Sequence, residues 1–389
     1  MAFPSPLSQP RPGVGAPISA PAVSPPALPV PPRRGRSASI WAIGLVVLLL
    51  AVLVGYFLEA LGPGASIVGM ILALIPLAGV LLAVRLVDRW EPEPRGLLIL
   101  AVAWGAVVAV AIALGVDLVL SILFGVGDSA AHDALRAVVQ APIVEEFAKG
   151  LGVLLIFASA RRAFDGPVDG IVYGGLVGAG FAFTENIQYF AISLIEGGAE
   201  QATATFFVRG ILSPFAHVMF TSVTGFALGI AARRGLGPGK ALGFWVTGMA
   251  GAALLHAVWN GSATFFDFFG LYLTLQLPLF VLFILGILML RREEARLTRA
   301  RLGDYAAVGW FTAAEVDMLA TSSGRRAGLA WAGSLRGDRK PLMKRFITDA
   351  TALAAARQRA LSGRDPRAAE DEQVLLVRTT ATRAALFAP

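Results

Sequence analysis

The chain has 389 residues, 56% of them hydrophobic and only 15% charged, against about 25% charged in an ordinary soluble domain. That balance excludes a soluble globular protein and points to one that crosses a membrane several times. The net charge of +7, on so apolar a chain, reads as a topology signal first and not as a nucleic-acid surface. There is no cysteine, which excludes disulfides, a thiol nucleophile and thiolate metal ligands.

Residues 1–38 form a proline-rich arm without apolar periodicity and are expected to be disordered and cytoplasmic. The arm ends in Arg33, Arg34 and Arg36, and the apolar run that follows is too long and too late for a cleavable signal peptide. Eight runs long enough to span a bilayer follow, near 40–61, 65–86, 97–124, 138–160, 169–195, 206–232, 241–263 and 268–290. Arg85, Arg89, Arg95, Arg161, Arg162, Arg233, Arg234, Lys240, Arg291 and Arg292 fall on one side of these runs. The other side carries only Arg136 and Arg209 among several acids. The expected fold is therefore an all-α polytopic bundle of about eight transmembrane helices, residues 39–292, with both termini cytoplasmic. Gly174, Gly175, Gly178, Gly180, Gly225 and Gly229 predict close helix packing. The Asp88–Pro94 connection, with two prolines, predicts an extended charged turn. Residues 293–389 read as an Ala/Arg-rich cytoplasmic tail, partly helical, forming a small or partly disordered segment with helical period near 312–320 and 343–361.

Within the apolar runs, polar groups recur at one level. The fourth run contains Glu145, Glu146 and Lys149, three charges in five residues that cost a few kcal/mol each at membrane depth. Lys149 follows the two glutamates by four and three residues, so it shares their helix face and can neutralise one of them. The fifth run carries Glu185 and Asn186, the sixth His217, and the seventh His256 and Asn260. Glu145, Glu185, His217 and His256 each lie sixteen residues from the cytoplasmic polar residue of their run, Arg161, Asp169, Arg233 and Lys240 respectively. Sixteen residues of helix rise about 24 Å. All four thus lie at the same level, in the half of the bilayer nearer the outside. Pro142 and Pro214 each precede a polar residue by three positions and are expected to kink their helices.

A set of carboxylates, imidazoles and an amide at one depth suits hydrolysis. Glu145 is the expected general base on a water. Glu146 is held by Lys149 or, with His217 and His256, ligates a metal such as zinc. Without metal, His217 and His256 would donate to the developing oxyanion, with Asn260 as a second donor. Glu185 is a further ligand or orienting group, and Asn186 supports it. The two glutamates can exchange roles, and a metal-free glutamate mechanism fits equally. The chain has no His-Glu-x-x-His and no Gly-x-Ser-Gly, while its Gly125–Asp128 match to Gly-x-Gly-Asp falls at the end of a run and reads as a turn. Asp117, in the third run, is the one other acid expected to be buried.

The set Glu145-Glu146-x-x-Lys149, Phe181-x-x-x-Glu185-Asn186, His217 and His256-x-x-x-Asn260, with the Asp-Arg-Trp-Glu-Pro-Glu-Pro turn, resembles the PrsW family of intramembrane proteases. In motif logic it is similar to the CAAX prenyl and bacteriocin-processing membrane proteases. It departs from the CAAX prenyl proteases in its Lys149 and in carrying Glu185 where they have histidine. The resemblance implies an endopeptidase of a bacterial cell membrane that cuts single-span membrane proteins near the extracytoplasmic side, an anti-sigma factor in the family's best-known role. A proton-coupled transporter, which would string polar groups across the full thickness, and a non-catalytic membrane scaffold are the competing classes.

Overall fold

The computed structural model describes residues 36–125, 129–161, 163–335, 337–363 and 367–387, with side chains from residue 43 onward. Most of the proline-rich arm, Arg162, and most of the expected Gly125–Asp128 turn lie outside the described residues. Among the described residues the structure is helical, with no strand. Seven helices carry the apolar part of the chain: α1 (Arg36–Val87), α2 (Arg95–Phe124), α3 (Ala141–Ser159), α4 (Pro167–Phe206), α5 (Ala216–Arg233), α6 (Pro238–Phe265) and α7 (Leu277–Ala307). Five stretches are long and apolar enough to cross a membrane: Ile43–Val87, Arg95–Phe124, Pro167–Arg233, Pro238–Phe265 and Phe268–Ala307. Large apolar side chains such as Leu118, Ile122 and Leu254 are exposed along them, as lipid-facing residues should be. α3 is helical over the fourth expected run, but its three charges keep it out of the purely apolar set.

Breaks in these helices have local causes. Gly62 (φ 74°) interrupts α1 between the first two expected spans, in backbone that L side chains rarely adopt. Gly198 (φ 65°) interrupts α4 beyond the fifth. Two wider, π-helical turns, Arg136–Gln140 and Phe207–Leu212, stand immediately before the segments holding Pro142 and Pro214. A proline there lacks the N–H that the preceding turn needs, so the helix loosens where the sequence predicts kinks.

The glycines set how closely the helices approach. Along α4, Gly170, Gly174 and Gly178 lie four residues apart. A Cβ on them would sit 2.0 Å from Gly225 O, 2.6 Å from Thr221 O and 2.3 Å from His217 O of α5. α4 and α5 therefore touch backbone to backbone, as small-xxx-small packing requires. α2 meets α4 in the same way at Gly105 and Gly180, whose Cβ atoms would lie 1.9 Å from Val177 O and 2.2 Å from Val102 O. Thr184 Oγ1 donates to Ala106 O at 2.7 Å beside that contact.

The 88–94 connection is less free than a charged linker. Trp90 and Glu93 are buried; Glu93 N–H donates to Asp88 Oδ1 at 3.0 Å, and Tyr173 of α4 donates to Glu93 Oε2 at 2.5 Å. Burial pushes the Glu93 carboxyl up to about 8, against the pull of the hydrogen bonds from Tyr173 and Asp169. Burial likewise raises Asp88 to about 6.

Residues from Met289 onward form a second compact unit. Over its described residues the tail is folded as α8 (Ala313–Leu319), α9 (Ser322–Ser334), α10 (Lys340–Ser362) and α11 (Ala368–Phe387), α8 and α10 falling on the two stretches of helical period. A capping box opens α8, Thr312 Oγ1 accepting from Glu315 N–H while Glu315 accepts from Thr312 N–H. Leu302, Tyr305, Leu319, Phe346, Leu353 and Leu376 are among the residues of its core. Buried polar pairs there include Tyr305 with Glu372 at 2.6 Å and Arg378 with Asp349 at 2.7 Å.

Candidate active site

α3 carries the charges, and two indoles pin it. Trp104 of α2 donates to Ala148 O at 3.0 Å and packs into the space left by Gly152; Trp245 of α6 donates to Gly150 O at 2.8 Å from the other flank. Between the two clamped carbonyls, Lys149 Nζ spends all three of its N–H donors: on Glu146 Oε1 at 2.7 Å, Glu145 Oε2 at 3.1 Å and His217 Nδ1 at 3.0 Å. It also lies 3.9 Å from the centroid of the Phe181 ring, a favourable place for a desolvated cation. Lys149 and Glu146 are fully buried, whereas the Glu145 side chain keeps 14% exposure.

The remaining contacts separate the two glutamates. Glu146 accepts from Thr221 of α5 at 2.9 Å and lies 3.3 Å from His256 Nδ1. Glu145 lies 4.0 Å from His256 Nδ1 and otherwise faces a cleft. Because an ammonium only donates, His217 Nδ1 must accept from Lys149, and the ring proton belongs on Nε2. Nε2 is 2.8 Å from Glu185 Oε2, so Glu185 fixes both the tautomer and the ring orientation. His256 stacks on Phe220 at 4.9 Å and meets the His217 ring edge-on at 4.9 Å.

The glutamate cluster thus draws residues from α3, α4, α5 and α6 together, including five of the six expected catalytic positions. Asn260 is placed differently. In the π-helical turn, Ala141 N–H bonds to Arg136 O. The next carbonyl, that of Ala137, would look to the N–H of residue 142, which is a proline. Asn260 Nδ2 supplies the missing donor at 2.8 Å. Asn260 therefore completes the α3 entry turn and does not point at the carboxylates. Asn186 accepts from Arg209 Nε at 2.8 Å.

Sequence reasoning missed Arg209 as a residue of the site. It bonds Glu185, and it lies 3.8 Å over the Tyr189 ring. The signal was present: Arg136 and Arg209 were the only basic residues on the acidic side of the expected topology. Both prove to pair with acids within the helices, Arg136 with Asp117 at 2.5 Å. Thr221, four residues after His217 on the same face of α5, was also missed.

The donor atoms of Glu145, His217 and His256 lie within 4.8 Å of one another, close enough to share one ion. His256 Nδ1 is buried without a hydrogen-bond partner. Three carboxylates (Glu145, Glu146, Glu185) face two cations (Lys149, Arg209), a surplus of negative charge that a divalent ion would take up. Histidine and carboxylate are ordinary zinc ligands. The residues therefore fit a divalent metal, on condition that Lys149 releases His217 Nδ1. The sequence reading had Glu146 in this set with His217 and His256. Glu146 bonds Lys149 and Thr221 and lies 3.3 Å from His256 Nδ1, while Glu145 is the carboxylate grouped with both histidines within 4.8 Å.

A cleft of about 360 Å³ opens onto Glu145 and Glu185 between α2, α3 and α4.

A family model described as PrsW family intramembrane metalloprotease matches residues 93–287. Protease PrsW of Geobacillus kaustophilus is 31% identical over 144 residues, 37% of this chain and 58% of that protein. Protease PrsW of Oceanobacillus iheyensis is 32% identical over 187 residues, 46% of this chain and 80% of that protein. Protease PrsW of Bacillus subtilis is 42% identical over 79 residues, 20% of this chain and 33% of that protein. The chain thus spans less than two thirds of the first of these relatives and a third of the last. No solved structure matches.

Proposed function

The chain belongs to the PrsW family of intramembrane metalloproteases, and from that premise we propose that it is an endopeptidase cutting membrane-anchored proteins within the bilayer. The observation that supports this best is the meeting of Glu145, Glu146, Lys149, Glu185, His217 and His256 beside a cleft that reaches Glu145. The charge asymmetry of the connections supports a protein with both termini cytoplasmic, and the bacterial sources of the similar proteases support a bacterial plasma membrane. Eight crossings follow if α1 crosses once on each side of Gly62, and α2 to α7 cross once each. The 45 residues of Ile43–Val87 rise about 68 Å, enough to cross a core of about 30 Å twice.

In this reading Glu145 is the base. It alone of the two adjacent glutamates borders the cleft, so a water entering there meets it first. Glu145 takes a proton from the water as the water oxygen bonds to the scissile carbonyl carbon. The proton passes to the departing amine as the C–N bond breaks, leaving a carboxylate and an amine. Glu146 stays paired with Lys149 and Thr221 and sets the position of the ammonium. Glu185 keeps His217 oriented toward the reacting centre. Glu145, His217 and His256 would hold the metal, and the ion would polarise the substrate carbonyl and the attacking water. A carboxylate has two oxygens, so Glu145 can offer one to the ion and turn the other toward water. The substrate is a single-span membrane protein, of which an anti-sigma factor is one example, cut in the outer half.

The test is cleavage of a tagged single-span reporter library in cells, comparing wild type with Glu145→Gln at equal abundance. Fragments that depend on Glu145, cut in the outer half, are the expected result. Identical fragment patterns with both proteins would move the reading to a transporter or a scaffold.

A further inference from the structure

α2 and α4 form a V. They touch backbone to backbone at Gly105 and Gly180 and are tied there by Thr184 and Ala106. Farther along they part. Residues 110–117 of α2 and 185–192 of α4 then line the cleft that ends on Glu145.

The cleft's chemistry is that of a place for peptide backbone. Its walls carry Ala113 and Ile192, with two primary amides, Gln140 and Gln188. Gln140 Nε2 donates to Asp117 Oδ1 at 3.1 Å, and Asp117 is held by Arg136. That leaves the Gln140 carbonyl oxygen free to accept. Gln188 is half-buried and borders the cleft without a hydrogen bond to another described residue. Hydrolysis needs the scissile bond out of a helix, because a helical carbonyl is shielded and already bonded. An unwound segment at membrane depth exposes N–H and C=O groups that lipid cannot satisfy, each costly to leave bare. An amide side chain offers both a donor and an acceptor, so Gln188 can pair with either group and Gln140 can accept from an N–H.

We propose that the cleft between α2 and α4 receives the substrate's unwound segment, with Gln188 and Gln140 bonding its freed backbone groups and so positioning the scissile carbonyl over Glu145. This inference rests on the hydrolase reading above and names its substrate-binding site, one for a helix-broken stretch of polypeptide.

The absence of cysteine makes a direct test possible. The full-length protein carrying Glu145→Gln, to prevent turnover, is placed in vesicles with one added thiol: Ala113→Cys, Ile192→Cys or, on the exposed face of α2, Leu118→Cys. The probe is a single-span Leu/Ala peptide with a Gly-Pro break in its outer half and one cysteine beside the break, matched with an unbroken version. Disulfide capture of the broken peptide at Ala113→Cys and Ile192→Cys, but not at Leu118→Cys, is expected. Adding Gln188→Leu should lower capture roughly tenfold, the effect of losing one or two net hydrogen bonds. Gln188→Asn, which keeps the amide, should restore part of it. Equal capture at Leu118→Cys, or equal capture of the unbroken peptide, overturns the cleft as a site for unwound chain. Capture indifferent to Gln188→Leu overturns the role of the amide. Because capture needs no catalysis, it fails independently of the hydrolase reading, which stands or falls on Glu145-dependent cleavage.

Discussion

Lys149 Nζ and Glu146 Oε1 lie 2.7 Å apart with both side chains fully buried. Neither can be removed alone without leaving a bare charge in an apolar interior, where breaking a buried pair costs about 3–5 kcal/mol. Lys149→Met should therefore cost about 3 kcal/mol of stability, visible as a lower Tm of the purified protein in lipid nanodiscs. The double variant Lys149→Met, Glu146→Gln should recover more than half of that loss. A double variant no better than the single one would show that Glu146 is not the charge Lys149 neutralises.

Metal retention separates the two glutamates. The purified full chain should hold a divalent ion that His256→Ala and Glu145→Gln abolish, measured by elemental analysis of the protein. Glu185→Gln should weaken retention by about tenfold to a hundredfold through its bond to His217, the usual effect of removing a carboxylate behind a ligating histidine. Loss of metal in Glu146→Gln with full retention in Glu145→Gln would reverse the assignment.

Arg209 acts through Glu185. Arg209→Met should lower kcat/KM by about a hundredfold, and Arg209→Lys should restore only part, since an ammonium cannot reproduce the planar fork that bonds Glu185 and Asn186 together. The accompanying readout is the tautomer of His217 by nitrogen NMR. The Nε2–H form should dominate in the wild type and lose that dominance in Arg209→Met. An unchanged tautomer with lowered activity would assign Arg209 a different task.

Glu93 makes the fold sensitive to alkali. Its carboxyl is raised from 4.5 to about 8 in the folded chain. Between those values the folded state binds a proton that the unfolded chain has released, so stability falls as pH rises through the window and levels off above about 8. Asp88, raised to about 6, adds to the same slope in the lower part of the range. Glu93→Gln imitates the protonated side chain. It should flatten the dependence of Tm on pH above 6 and leave the variant more stable than wild type beyond about 8. Parallel curves for the two proteins would remove Glu93 as the cause.

How much of this was legible depended on contrast. Glu145, Glu146, Lys149, His217 and His256 stand out because charge and imidazole are rare in apolar runs, and their common spacing from the loops already placed them at one level. Gln140 and Gln188 gave no such signal, since an uncharged amide barely disturbs hydropathy. Arg209 was visible but was counted with a loop, because span ends cannot be read to within a turn. The partner of Asn260 was out of reach. It depends on a widened turn and on the proline that follows it, a coincidence of backbone geometry that residue spacing does not encode. The helices α10 and α11 carry so much alanine and arginine that their buried faces emerge only when paired, so the sequence showed helical period over α10 without showing the core it joins.

The two indoles that grip α3 govern more than packing. Consecutive residues of a helix point about 100° apart, so a slip of one position would swing the carboxylates out of their nest and toward hydrocarbon. Trp104 and Trp245, bonded to Ala148 and Gly150 from opposite flanks, key the helix against that rotation as a shaft is keyed in its hub. The alignment of a water-reactive centre inside an oily medium is thereby entrusted to two side chains that never meet the reacting atoms. Substitutions there would register as misalignment long before they registered as unfolding.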